Sequence, residues 1–387
     1  MTIKDAFCTE GLVTVGGIPE CRDNVPASNA IAVQKYLDAG AIIFGKTNVP
    51  FMSSDLQSYN EIYGTTNNPW NEERTCGGSS GGAGAALSAG LTPLELGSDI
   101  GGSIRTPSHF NGVYGHKTSW GIVSERGHLP PGEGVLSESD LSVVGPMGTC
   151  VEDLEQALDL LVGPSPEKAV AFNIDLPPAR TENLAELNVA VWADDAFCLV
   201  DTDIRDAIIN LGEKLVAAGA NVDFQARPGV DPEDNSANYG FMLAAAVGGG
   251  MPNEVFEAMK EIVAAGDPAD TGFAMQQARG IAAYQRDWVR QMEKRLHLKA
   301  AWAEFFTRYD VLLCPCTCVT AFPHNHDGGL VDRTLTINGE TRPYLDLLGW
   351  AGLTLNVELP ATVVPVGLSR EGLPIGVQVV ADYLQDR

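Results

Sequence analysis

The sequence predicts an α/β protein, because apolar strand patterns repeatedly adjoin amphipathic helical ones. In the clearest run, residues 187–192 read as a strand, 203–217 as an amphipathic helix and 220–224 as a second strand. Residues 30–37 carry helical spacing, Ala39-Gly40 closes that helix, and 41–44 read as a buried strand. Near the end, 309–315, 359–367 and 372–380 form further strand-like apolar runs. The chain has 387 residues, 44% hydrophobic and 19% charged, which suits a large buried core in one domain or two.

The remaining segments follow the same alternation. Residues 1–7 are strand-like and set Lys4 in an apolar-flanked stretch, followed by glycines at 11, 16 and 17. Residues 83–89 are small and helix-compatible, 151–161 are helix-like, and 235–308 are mostly helical. There is no internal repeat and no low-complexity tract. Cys314, Cys316 and Cys318 alternate as they would on one face of a regular strand, although Pro315 interrupts it, and without further ligand-spaced partners they read as buried thiols. His324 and His326 read as part of a polar loop.

Charge and hydropathy narrow the function. A formal charge of −25 repels phosphate backbones, so nucleic acid is not an expected partner. No stretch reaches the roughly 18 to 20 apolar residues of a membrane span, and the first residues lack a basic-then-apolar leader, which predicts a cytoplasmic protein. The expected state is a monomer or a homodimer.

The most informative stretch is 75–105, TCGGSSGGAGAALSAGLTPLELGSDIGGSIR. Gly-Gly pairs precede both Ser79 and Ser103. Such glycines let the backbone approach a ligand closely, and successive N–H groups in these turns form an anion-binding concavity suited to a developing oxyanion. One isolated GGS is an ordinary loop; here two occur, and the second ends in Ile104-Arg105. GGSSGG at 77–82 and D-x-GGS-x-R at 99–105 resemble the core of the amidase signature family. The resemblance extends to Ile3-Lys4-Asp5, to GKTNVP at 45–50, to Tyr63-Gly64 and Asn68-Pro69-Trp70, to 111–118, to 140–147 and to 359–380. It is weakest between 164 and 308.

That resemblance implies a mixed central sheet flanked by helices, in a single catalytic domain spanning 1–387. Its core would be 1–163 and 309–387, with 164–308 a variable region that shapes the substrate pocket. Family members usually carry a segment before the lysine and another after the point where this chain stops, so the sequence reads as a shortened form. By the same resemblance Ser103 is the nucleophile, Ser79 the serine after a cis peptide bond, and Lys4 the base. Backbone N–H groups of Ile100, Gly101, Gly102 and Ser103 would form the oxyanion hole, and Met52 and Ser53 would line the acyl pocket. Ser80, Asp99 and Arg105 would hold the two turns, with Arg105 alternatively free to bind a substrate carboxylate.

No cofactor and no metal are implied. The expected activity is hydrolysis of C–N bonds in small amides through an acyl-enzyme, with carbamates, anilides and esters as related substrates. Alternatives are the amidase component of a tRNA-dependent amidotransferase and a non-catalytic binding protein. A Ser-His pair built on His116 is disfavoured, because the family uses no histidine. Glu358, where many members have glycine, reads as a solvent-facing or hydrogen-bonded loop residue rather than a group inside the pocket.

Overall fold

Ten strands join into one mixed sheet in the computed structural model, which describes residues 1–387. In chain order they are β1 (Thr2–Lys4), β2 (Gly45–Thr47), β3 (Leu94–Asp99), β4 (Tyr114–Lys117), β5 (Val143–Gly148), β6 (Asn188–Val191), β7 (Asn221–Asp223), β8 (Val311–Pro315), β9 (Ala361–Leu368) and β10 (Pro374–Val380). Across the sheet they run β7-β6-β8-β10-β9-β4-β5-β3-β1-β2. Pairing is parallel at both flanks, where β1 lies between β2 and β3 and β6 between β7 and β8. It is antiparallel through the middle.

Parallel neighbours need long crossovers, and helices supply them. They are α1 (Ile31–Asp38), α2 (Gly81–Ser88), α3 (Arg105–Asn111), α4 (Val151–Leu161), α5 (Thr202–Ala217), α6 (Pro232–Gly248), α7 (Asn253–Ala265), α8 (Phe273–Ile281), α9 (Gln285–Phe306) and α10 (Gly349–Leu355). This is the mixed sheet flanked by helices that the sequence implied. At the start of α5 the Asp201 carboxylate accepts the Asp203 N–H, and the helix buries Ile204, Ile208 and Gly212. Helix α2 is glycine-rich and a poor helix former by propensity, so packing must sustain it. A Cβ on Gly82 would fall 2.3 Å from the Asn48 nitrogen, so the close approach requires glycine there.

Two large apolar clusters, beside a third of 5 residues around α2, pack the core. The larger has 43 buried residues drawn from β6, β8, β9 and β10 and the helices over them, including Trp192, Trp302 and Trp350. The smaller of these has 14, among them Ile3, Phe7, Val33, Tyr36, Leu96, Val144 and Leu158, and it joins β1 to α1 and α4. Burying a side chain of this size contributes about 1.5–3 kcal/mol, so β1 is held by packing as well as by its two neighbouring strands.

Two sequence expectations change. The run at 41–44 is not a strand; β2 begins only at Gly45. Ile42 is 79% and Phe44 61% exposed, while Ile43 packs on the smaller cluster. The segment is a connection to a sheet edge, where only one side meets the core. The cysteine run also breaks: β8 ends at Pro315, so only Cys314 lies on the strand. All three thiols are buried and free. No helix is long and apolar enough to cross a membrane.

Candidate active site

Three segments converge where the parallel strands β1 and β3 end, the side of an open parallel sheet at which ligand chemistry collects. β1 ends on Lys4. β3 ends on Ser98 and Asp99, and the turn Ile100-Gly101-Gly102-Ser103 then leads into α3. The third segment, Gly77-Gly78-Ser79-Ser80, enters α2.

Lys4 is fully buried. Its Nζ lies 2.6 Å from Ser79 Oγ, 2.8 Å from Ser98 Oγ and 3.4 Å from the Ser98 carbonyl oxygen, and none of these partners is a carboxylate. Loss of solvent lowers its pKa from the ordinary lysine value to about 7, against the opposing attraction of Asp99, Glu125 and Glu95. A substantial fraction of the amine is therefore neutral near neutral pH.

Ser79 follows a cis peptide bond from Gly78 and is itself buried. The segment Asp55-Leu56-Gln57 presses directly on Gly78, where a Cβ would lie 2.5 Å from the Asp55 carbonyl oxygen. Ser58 Oγ braces the far side, donating to the Ser79 carbonyl at 3.4 Å and accepting the Gly81 N–H at 3.1 Å. Ser80 donates its N–H to the Ser103 carbonyl at 3.0 Å, which joins the two serine turns directly. Ser103 Oγ makes no hydrogen bond within the chain, so Lys4–Ser79 is the formed link and Ser79–Ser103 is not.

Asp99 organises the second turn. One carboxylate oxygen accepts Gly102 N–H (2.8 Å) and Arg105 Nη2 (2.9 Å); the other accepts Ile104 N–H (3.1 Å), Arg105 Nε (3.0 Å) and, at longer range, Arg105 N–H (3.4 Å). Burial alone would raise its pKa, but the Arg105 guanidinium and these donors outweigh it and hold the group at about 2. Arg105 Nη1 is spent on the Ala351 carbonyl, Thr354 Oγ1 and Gln378 Oε1. The guanidinium is fully buried and each of its nitrogens is bonded inside the fold, which argues against the alternative of Arg105 binding a substrate carboxylate.

The same carboxylate edits the group of candidate oxyanion donors. Gly102 N–H is committed to Asp99, whereas the N–H groups of Ile100, Gly101 and Ser103 donate to nothing in the chain. Tyr239, from α6, donates its hydroxyl to the Ile100 carbonyl at 2.9 Å and so fixes the orientation of the peptide that carries the Gly101 N–H.

Met52 and Ser53 lie on a short turn after Pro50 with φ of 51° and 55°. The Met52 N–H is tied to the Gly16 carbonyl at 2.9 Å, and no hydrogen bond links either residue to Lys4, Ser79 or Ser103. His116 sits elsewhere: its ring contacts Thr362 Oγ1 at 2.8 Å and Asp386 Oδ1 at 3.2 Å, with neither serine of the pair in reach. Glu358 is buried at φ 66° and ion-paired to Arg295 (3.3 Å) and Lys299. That left-handed backbone is where glycine is favoured. The residue is thus hydrogen-bonded but not solvent-facing.

Sequence reading missed Ser98, Ser58 and Tyr239. Ser98 directly precedes Asp99 and was in principle visible from that adjacency. Tyr239 lies 139 residues from the peptide it fixes, in a region with no motif.

The family model described as Amidase matches residues 1–387. This chain belongs to the amidase family. Amidase signature enzymes are hydrolases acting on carbon–nitrogen bonds, and this amidase is 33% identical over 408 residues to fatty-acid amide hydrolase 2-A of Danio rerio, covering 100% of this chain and 72% of that protein. Among solved structures it is similar to a glutamyl-tRNA(Gln) amidotransferase subunit of Thermotoga maritima, with TM-score 0.80 and 25% identity over 100% of this chain and 79% of that one. It is also similar to 6-aminohexanoate cyclic dimer hydrolase complexed with substrate, with TM-score 0.76 and 25% identity over 100% of this chain and 82% of that one.

Proposed function

We propose that this amidase cleaves small amides through an acyl-enzyme on Ser103, with Ser79 and Lys4 as its proton relay. The observation that carries the reading is the buried Lys4 amine, 2.6 Å from Ser79 Oγ and bonded only to hydroxyl and carbonyl oxygens. A lysine held this way accepts a proton near neutral pH, which an exposed lysine does not.

In the first step the Ser103 hydroxyl proton passes to Ser79 Oγ as the Ser79 proton passes to Lys4 Nζ. Ser103 Oγ bonds to the carbonyl carbon, and the carbonyl electron pair moves onto oxygen. The uncommitted N–H groups of Ile100, Gly101 and Ser103 receive that oxyanion; one such donor is worth about 2.7–4 kcal/mol of barrier. Collapse breaks the C–N bond while the relay runs backwards and protonates the leaving nitrogen. Water then repeats the sequence on the ester. In this reading the Ser79–Ser103 link forms on substrate binding, as catalytic hydrogen bonds in unliganded sites often tighten in the complex.

Residues 1–163 and 309–387 act as the catalytic core in this reading. Residues 164–308, which include Tyr239, shape the acyl pocket in this reading, with Met52 and Ser53 lining it. Carbamates, anilides and esters need the same carbonyl attack and fall within its reach. Incubation with a fluorophosphonate followed by mass spectrometry should label Ser103 alone, and a screen of anilides, aliphatic amides, esters and carbamates should show turnover that Ser103→Ala abolishes. Labelling elsewhere, or activity surviving that substitution, overturns the assignment.

The likeness to an amidotransferase component supports a second reading, glutaminase activity within a complex. The charge of −25 weighs against tRNA contact. Glutamine hydrolysis measured with and without partner proteins separates the two.

A further inference from the structure

Lys4 has a second hydroxyl partner, and that partner leads to a histidine outside the relay. Ser98 Oγ lies 2.8 Å from Lys4 Nζ and 2.9 Å from His128 Nε2, and His128 Nδ1 lies 3.1 Å from the Pro130 carbonyl oxygen. The 127–129 segment is fastened alongside the residues that follow Lys4. Cys8 N–H donates to the Gly127 carbonyl at 2.8 Å, Leu129 N–H donates to the Ala6 carbonyl at 2.6 Å, and the Phe7 ring stands edge-on to the imidazole at 5.0 Å.

Hydrogen-bond directions follow from what each atom can do. A carbonyl oxygen only accepts, so His128 Nδ1 carries the proton and donates to Pro130. In the neutral imidazole Nε2 is then an acceptor, so the Ser98 hydroxyl donates to it. With its proton committed, Ser98 Oγ offers Lys4 only lone pairs. A neutral amine has two N–H donors and one lone pair. Ser98 Oγ and the Ser98 carbonyl oxygen take the two donors, and the lone pair is left facing Ser79 Oγ at 2.6 Å.

We propose that His128 is a positioning residue for the amidase chemistry, holding the Ser98 hydroxyl so that the neutral Lys4 amine aims its lone pair at Ser79. This rests on Lys4 acting as the base of the proposed acyl-enzyme reaction. When the Ser79 proton arrives, Lys4 becomes an ammonium whose three N–H groups meet Ser79 Oγ, Ser98 Oγ and the Ser98 carbonyl. When the proton returns to the leaving nitrogen, the earlier arrangement is restored. His128 stays neutral and gains or loses no proton throughout. Loss of solvent and the nearby charge of Lys4, with a smaller contribution from Lys46, hold its pKa down to about 4, so it remains an acceptor across neutral pH. The charged groups around this pair are Lys4 on β1, Lys46 on β2 with Asp5 at 3.8 Å from it, and the carboxylates of Asp99, Glu95 and Glu125 that act on Lys4.

The test compares kcat/KM against pH for the wild-type chain, His128→Ala and His128→Gln on an amide that the wild type turns over. It is joined by the 15N spectrum of histidine-labelled protein at pH 7.5, with His128 assigned by its absence from His128→Gln. In His128→Ala the freed Ser98 hydroxyl turns to donate to the Lys4 lone pair. The rate should fall about 10-fold or more, within what general-base catalysis is worth, and the acid limb should move to lower pH because the neutral amine is stabilised. His128→Gln, whose side-chain carbonyl accepts from Ser98, should restore the limb and most of the rate. The spectrum should show His128 neutral with its proton on Nδ1. A proton on Nε2 overturns the proposal, as does a His128→Ala profile identical to wild type. Equal losses in both variants with the limb unmoved indicate a merely structural role and also overturn it. If the wild type neither hydrolyses any tested amide, ester or carbamate nor labels with fluorophosphonate, the base reading fails and takes the proposal with it, whereas an overturned tautomer alone leaves Lys4 as the base.

Discussion

Two buried lysines feel the same carboxylate and differ in what surrounds their amines. Lys4 and Lys117 are both fully buried, and in both the loss of solvent lowers the pKa to about 7. Asp99 pulls on each, while Arg105 pushes Lys117 further down. Lys4 meets two hydroxyls, one of them on Ser79, whose neighbour Ser80 bonds through its N–H to the Ser103 carbonyl. Lys117, at the end of β4, donates only to the carbonyl of its own neighbour Thr118 at 3.0 Å. A depressed pKa marks burial; a proton path marks a base. Only Lys4 has both.

The largest expected effect breaks the better-connected lysine. Lys4→Met should lower kcat/KM by about 10²–10⁴ and erase the acid limb. In the proposed relay activity needs the neutral amine, so kcat/KM should rise with pH through about 7 and level off above it. A profile that falls through that range would show that the charged form is the active one.

Asp99→Asn strikes the element shared by both lysines. It leaves the Arg105 guanidinium buried without its charge partner, and breaking such a pair costs about 3–5 kcal/mol. Urea unfolding at pH 7 measures the loss. Because the folded carboxyl titrates at about 2, below its unfolded value, the wild-type contribution is complete above pH ~4 and fades only as pH falls toward 2.

Tyr239→Phe is a smaller cut on the Lys4 side. It frees the Ile100 carbonyl from its only side-chain donor, at 2.9 Å, without touching a proton carrier. A net hydrogen bond of about 0.5–1.5 kcal/mol corresponds to roughly a 2- to 12-fold loss, expected in kcat rather than KM because the oxyanion forms only in the transition state. An unchanged kcat would detach α6 from the site.

These contrasts also show which parts of the molecule were legible in advance. The mixed sheet flanked by helices and the candidate residues Lys4, Ser79 and Ser103 were legible through the family resemblance that contiguous motifs carry. The overestimated strand at 41–44 failed because an apolar run cannot announce that it lies at a sheet edge with one side in solvent. Gly102 was counted among the oxyanion donors because sequence gives the N–H but not its partner, and Asp99 three residues earlier takes it. Tyr239 and His128 act across 139 and 30 residues respectively, contacts that only the closed fold brings together. Lys117 lies inside a matching motif and still has no proton path, so motif membership alone did not separate it from Lys4.

Lys117→Met therefore provides the finest test of the comparison, because its expected effect is on stability and not on turnover. The unfolded lysine keeps its proton up to its ordinary pKa near 10.5, while the folded one loses it near 7. Between those values the unfolded chain binds more protons, so this group makes wild-type stability rise with pH across that window. Replacing the amine by an apolar side chain of similar length removes the cost of burying it. The variant should melt higher than wild type at pH 7, and the difference should shrink as pH approaches 10. Its kcat/KM profile should keep the acid limb near 7, since the proposed relay assigns that limb to Lys4. If Lys117→Met instead abolishes the limb, the proton path runs through β4, and the distinction between the two lysines is lost.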